Sequence, residues 1–191
     1  MVFPAAVFFG VKSLLTGISM GPLIAKQVRE ARIELSRANT DTQRCYPLAR
    51  IAKDDFNHGN LREAKAYAEQ LLAIAAKIQS KNDGALHSEY GVAIHDGNVV
   101  LGRIALRENR KADAEKYLLA AGKSPGAATL NSFGPNMSLA KDLAEAGDGA
   151  VVIRYLDECR KFWTLDPNKL DDWEAEIKSG GVPDFGANLY Y

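Results

Sequence analysis

The stretch Leu48 to Leu72, LARIAKDDFNHGNLREAKAYAEQLL, restricts the fold more than any other part of the chain. Leu48, Ile51, Ala52 and Phe56 fall at helical spacing, and His58-Gly59-Asn60 break the run. Leu61, Ala64, Ala68, Leu71 and Leu72 then line one face of a second helix. Ala64, soon after the turn, lets the two helices approach closely. An Ala-rich face of this kind cannot bury itself alone and needs a neighbouring pair to cover it. The pattern predicts an all-α fold built from a repeated helical hairpin.

Aligning on the turn residue gives three units. The first has its turn at Gly59 and its small second-helix residue at Ala64. The second runs from about Asp96, with Asn109-Arg110 at the turn and Ala114 in the matching place. The third runs from about Gly134, with Gly147-Asp148 at the turn and Val152 in that place. Three residues beyond each stands a tyrosine: Tyr67, Tyr117 and Tyr155. The segments AxxYAxxL at 64–71, AxxYLxxA at 114–121 and VxxYLxxC at 152–159 resemble the tetratricopeptide repeat family, helix-turn-helix units of about 34 residues. Ala64 and Ala114 stand 50 residues apart, and Ala114 and Val152 stand 38 apart, so inserted loops are expected at about residues 79–95 and 123–134. Asn98 also occupies a place where a large apolar residue is usual in the family. More narrowly, HDGNVVLGRIALRE, LNSFGPNMSLAKDLAEAG, YLDECRKFW and PDFGANL together resemble a family of uncharacterised bacterial proteins over about residues 45–191. The expected architecture is a short solenoid of about three tetratricopeptide-like hairpins, with an apolar N-terminal helix and a C-terminal capping helix.

The division along the chain follows composition. Residues 1–25 form an apolar segment in which Lys12 is the one charged side chain. Its length is that of a membrane span, about 20 residues. It lacks the basic n-region of a secretory signal, and Lys26, Arg29, Arg32 and Arg37 follow it. As a span it would leave the repeats on the cytoplasmic side. An exported chain, or a soluble cytoplasmic one with this segment as a core helix, is the alternative. Residues 26–44 read as a charged, solvated helical lead-in, ended by Asn39-Thr40-Asp41-Thr42, which also cap the next helix. Residues 45–191 form the repeat domain. In its last part Leu170, Trp173 and Ile177 share one face of a helix started by Asp166-Pro167, a cap on the final repeat. The tail VPDFGANLYY is expected to pack back on the domain.

Composition excludes several functions. Lys plus Arg (24) balances Asp plus Glu (24), so no overall field draws the chain to nucleic acid. The two cysteines, Cys45 and Cys159, are too few for a disulfide framework and read as buried thiols. No GxxxxGK[ST] or GxGxxG sequence is present, so nucleotide binding has no support, and neither Ser132 nor Ser138 has a GxSxG setting. Asp54-Asp55 and Asp171-Asp172 are adjacent on helices and diverge by about 100°, so neither pair can face one substrate. His87 and His95 lie eight apart and match no metal motif. No cofactor, metal or catalytic group is expected.

What remains is binding. In the tetratricopeptide family the first helices line a concave face, and the position six residues before the turn lies on it. Here that position is Lys53, Arg103 and Lys141. The resemblance implies a basic groove that takes an acidic segment or a C-terminal carboxylate of a protein or peptide, with Phe56, Val99 and Met137 supplying apolar contact. The asparagines of the family's carboxylate-clamp members do not line up here. The expected function is a non-catalytic scaffold, held at a membrane through residues 1–25. Two alternatives are a structural subunit docking through that apolar segment and an enzyme using the His87 to Asp96 loop.

Overall fold

The computed structural model describes residues 20–80 and 88–190. Among these residues the chain is all-helical, packed in layers. In order come α1 (Met20–Arg37), α2 (Asp41–Asn57), α3 (Leu61–Ser80), α4 (Ser88–Arg107), α5 (Lys111–Gly122), α6 (Ala128–Phe133), α7 (Ser138–Glu145), α8 (Gly149–Cys159) and α9 (Pro167–Lys178), then a 3-10 turn, Gly186–Leu189. Residues 1–19, with most of the apolar segment, and 81–87, with His87, lie outside the described residues. No described helix is long and apolar enough to cross a membrane.

The three hairpins α2–α3, α4–α5 and α7–α8 close in the same way. The turn residue is left-handed in each: Gly59 (φ 83°), Asn109 (φ 58°) and Gly147 (φ 84°). The next amide reaches back five residues: Asn60 N–H to Asp55 O at 2.8 Å, Arg110 to Ala105 at 2.8 Å, Asp148 to Leu143 at 2.9 Å. This closure satisfies carbonyls that a helix end otherwise leaves without donors. The small-residue positions Ala64, Ala114 and Val152 are fully buried, as is Tyr155.

Helices α2, α4 and α7 follow one another in contact, with α5 against α8 behind them. Central α4 touches α2, α3, α5, α6 and α7, and glycine makes this possible. A Cβ at Gly91 would lie 1.7 Å from the Gly126 carbonyl oxygen, and one at Gly102 would lie 2.3 Å from Leu139.

Four boundaries differ from the sequence reading. Helix α1 runs unbroken from Met20 through the expected division at residue 25, with Gly21-Pro22 in its first turn where proline needs no donor. It is not wholly solvated: Val28 and Ala31 are buried against α2, and Arg32 meets Asp55 at 2.8 Å. Helix α4 starts at Ser88, so all of 88–95 is helix rather than loop. Helix α7 starts at Ser138, three residues after Pro135. Within the second insertion, residues 128–133 form α6.

The cap is formed as the spacing requires, with Leu170, Trp173 and Ile177 of α9 buried. Trp173 lies 5.8 Å from Trp163 and 5.0 Å, edge-on, from Phe185 of the tail. These aromatics are core. Asn188 fixes the tail: its side chain donates to Phe133 O (3.0 Å) and Pro135 O (3.1 Å), and its carbonyl accepts from Met137 N–H (2.8 Å).

Candidate functional site

A cleft of about 300 Å³ opens where α1, α2, α4, α6 and the tail meet. One face of α2 forms much of its wall. Tyr46, Arg50, Lys53 and Asn57 recur at spacings of four, three and four, so all four point the same way. Val92, Asp96 and Arg103 of α4, Phe133 of α6, Asn136, Ser138 and Tyr190 add the rest. The three aromatics come from three separate elements and are exposed: Tyr46 by 37%, Phe133 by 58% and Tyr190 by 60%.

The cations expected in a groove are placed unequally. Lys53 and Arg103 line the cleft; Lys141 does not. Each of the three has a carboxylate partner. Lys53 meets Asp96 at 2.7 Å. Arg103 meets Asp142 at 2.7 Å, donates to Asn57 at 3.2 Å, and stacks 4.3 Å above the Phe56 ring. Lys141 pairs along its own helix with Glu145. Arg50 also lines the cleft, and it makes no ion pair or hydrogen bond among the described residues.

The apolar contacts expected from Phe56, Val99 and Met137 need correction. All three are buried in the core, Phe56 and Val99 on helix faces that pack inward and Met137 just before α7. Tyr46, Phe133 and Tyr190 present apolar surface instead. The α2 stripe could have been read by extending the Lys53 position back along its helix to Arg50 and Tyr46. Phe133 and Tyr190 carry no such signal, since tertiary folding alone brings them there.

Behind the cleft wall runs a buried polar chain. Asp96 uses one carboxylate oxygen for Lys53 and the other for His95 Nδ1, at 2.8 Å. His95 Nε2 lies 2.9 Å from the Tyr155 hydroxyl, which donates to Asn136 O at 3.2 Å. The chain joins α2, α4, α8 and the segment before α7. Burial alone would raise the Asp96 pKa, but the Lys53 charge and the His95 hydrogen bond outweigh it and hold the carboxyl down to about 2. Burial, with Cys159 and Asp96 nearby, pushes the Tyr155 phenol well above its ordinary value. Cys159 is likewise pushed up by burial, and Cys45 to about 12, first by burial and then by Glu89 and Asp41. Both thiols are buried and free, and protonated thiols are poor nucleophiles.

His95 therefore sits inside a helix, fully buried, rather than on an exposed loop. Among the described residues no group of three or more His, Cys, Asp or Glu is placed to hold a metal ion. Compared with protein-family models, curated proteins and solved structures, the chain matches none.

Proposed function

We propose that this chain is a non-catalytic binding module: a short solenoid of three tetratricopeptide-like hairpins whose cleft holds an acidic peptide segment of a partner protein. The observation that carries the reading is the convergence of Tyr46, Phe133 and Tyr190 on a cleft whose α2 wall presents Arg50 and Lys53. Exposed aromatics are costly on a surface that meets only water and are frequent anchors in interfaces. Lys53 and Arg103 keep the carboxylates Asp96 and Asp142, while Arg50 lines the cleft with no ion pair among the described residues, which favours a negative segment there. The repeated left-handed closure and the buried small residue of each hairpin support the solenoid. The apolar composition of residues 1–25 extends the reading to attachment at a membrane, tested by carbonate extraction of the full-length chain.

The test is fluorescence polarisation with labelled peptides that pair Glu with Phe or Tyr, against Lys-containing counterparts. The acidic peptides bind, and Arg50→Glu combined with Phe133→Ala weakens them at least tenfold, about 1.4 kcal/mol. Equal binding by the variant removes the cleft as the site.

A further inference from the structure

The polar chain behind the cleft admits two placements of its protons, and in the first the Tyr155 hydroxyl turns away from His95. The Tyr155 hydroxyl has one proton, and the Asn136 carbonyl, an acceptor only, receives it. The hydroxyl oxygen then accepts, and His95 Nε2 at 2.9 Å is placed to donate to it. Nδ1, at 2.8 Å from the ionised Asp96, must donate as well. In this arrangement both ring nitrogens act as donors, so the ring is an imidazolium. With the ring neutral, Nδ1 keeps its proton toward Asp96. The Tyr155 hydroxyl then turns its own proton to Nε2, leaving Asn136 O without that donor. The chain has two arrangements that differ by one proton, and Lys53, Asp96 and Asn136 at its ends line the cleft.

In the protonated arrangement Lys53 and His95 share a single carboxylate, Asp96. One positive charge is left over in the cleft wall, beside Arg50. The ionisable groups facing His95 are Asp96 of its own helix, Lys53 of α2 through Asp96, and Tyr155 of α8 with Cys159 behind it. The segment before α7 offers the Asn136 carbonyl. No ionisable group of α3, α5 or α6 makes an ion pair or hydrogen bond with this ring among the described residues.

We infer that the cleft takes its anionic ligand together with a proton: a ligand carboxylate that engages Lys53 and Arg50 favours the arrangement in which both nitrogens of His95 are protonated. This rests on the peptide-binding reading and adds its regulation. A carboxylate competing for Lys53 loosens the hold of Lys53 on Asp96. Asp96 is then left to His95, whose cationic form it stabilises. Linkage is reciprocal, so the proton strengthens anion binding by the same factor that the anion strengthens proton binding.

The experiment uses the full chain and the peptide acetyl-Glu-Glu-Phe, followed by calorimetry and by nitrogen NMR of the histidine rings. Affinity falls by about tenfold from pH 5.5 to pH 8, within the usual range of coupling between sites. Titrations in buffers of different ionisation enthalpy show proton uptake on binding. The His95 ring nitrogens move toward doubly protonated values as peptide is added, while those of exposed His58 do not follow. Binding without proton uptake, or without change at the His95 ring, overturns the coupling and leaves the peptide reading standing. No binding anywhere between pH 5.5 and 8 removes both.

Discussion

The His95 imidazole and the Tyr155 hydroxyl meet at 2.9 Å across the interface of α4 and α8, with both residues fully buried. This hydrogen bond ties the second hairpin to the third through groups that water cannot replace. Replacing His95 by Leu leaves Asp96 and the Tyr155 hydroxyl each short of a partner. The expected cost is about 3 kcal/mol. Tyr155→Phe, which keeps the ring and loses the hydroxyl, costs about 1 kcal/mol. Urea unfolding, with an unchanged dependence on denaturant concentration, measures both.

Asp96 makes stability depend on acid. Its carboxyl is held down to about 2 in the fold against an ordinary 3.8, so its contribution is complete above the unfolded value. It is lost as pH falls through 3.8 toward 2. The shift corresponds to about 2 kcal/mol. The stability gap between the wild-type chain and Asp96→Asn therefore narrows by about that amount between pH 5 and pH 2. A constant gap over this interval rules out the linkage.

Gly91 and Asn109 separate steric from conformational roles of small residues. Gly91→Ala places a methyl 1.7 Å from a backbone oxygen that no side-chain rotation relieves. The expected loss exceeds the roughly 1 kcal/mol that alanine gains as a helix former, and the melting temperature drops. Asn109 is the described non-glycine residue at positive φ, in a turn closed by glycine in the other two hairpins. Asn109→Gly stays within about 0.5 kcal/mol of wild type, whereas Asn109→Val loses about 1–2 kcal/mol.

Both thiols are buried, and burial keeps them protonated. A chromogenic disulfide reagent at pH 8 therefore reacts with neither in the native chain. In urea its rate follows the unfolded population, and two thiols are released together. Rapid labelling of one thiol in native buffer contradicts the packing around it.

The hairpins were legible because their signals are local. Apolar spacing around Gly59 and the recurrence of a small residue and a tyrosine fix two faces and a turn without reference to the rest of the chain. The start of α4 was not, since Ser88 to Asp96 carries Gly91, His95 and Asp96, residues that read as loop. There Gly91 serves a close approach, and His95 and Asp96 satisfy each other. The cleft was half legible: Lys53 and Arg103 followed from register, but register alone cannot tell which neighbouring residues turn inward. Phe56 and Met137 went to the core for that reason.

Asn188 stitches the tail to residues 133, 135 and 137, which precede it by 51 to 55 positions. Those backbone groups wait for their partner until residue 188 has left the ribosome. The first hairpin, by contrast, has its turn and both helices in hand well before then. The order of assembly thus runs from the first hairpin onward. The cleft, bordered by Phe133, Asn136 and Tyr190, takes shape after the hairpins before it, so a nascent chain holds folded hairpins before it holds the cleft.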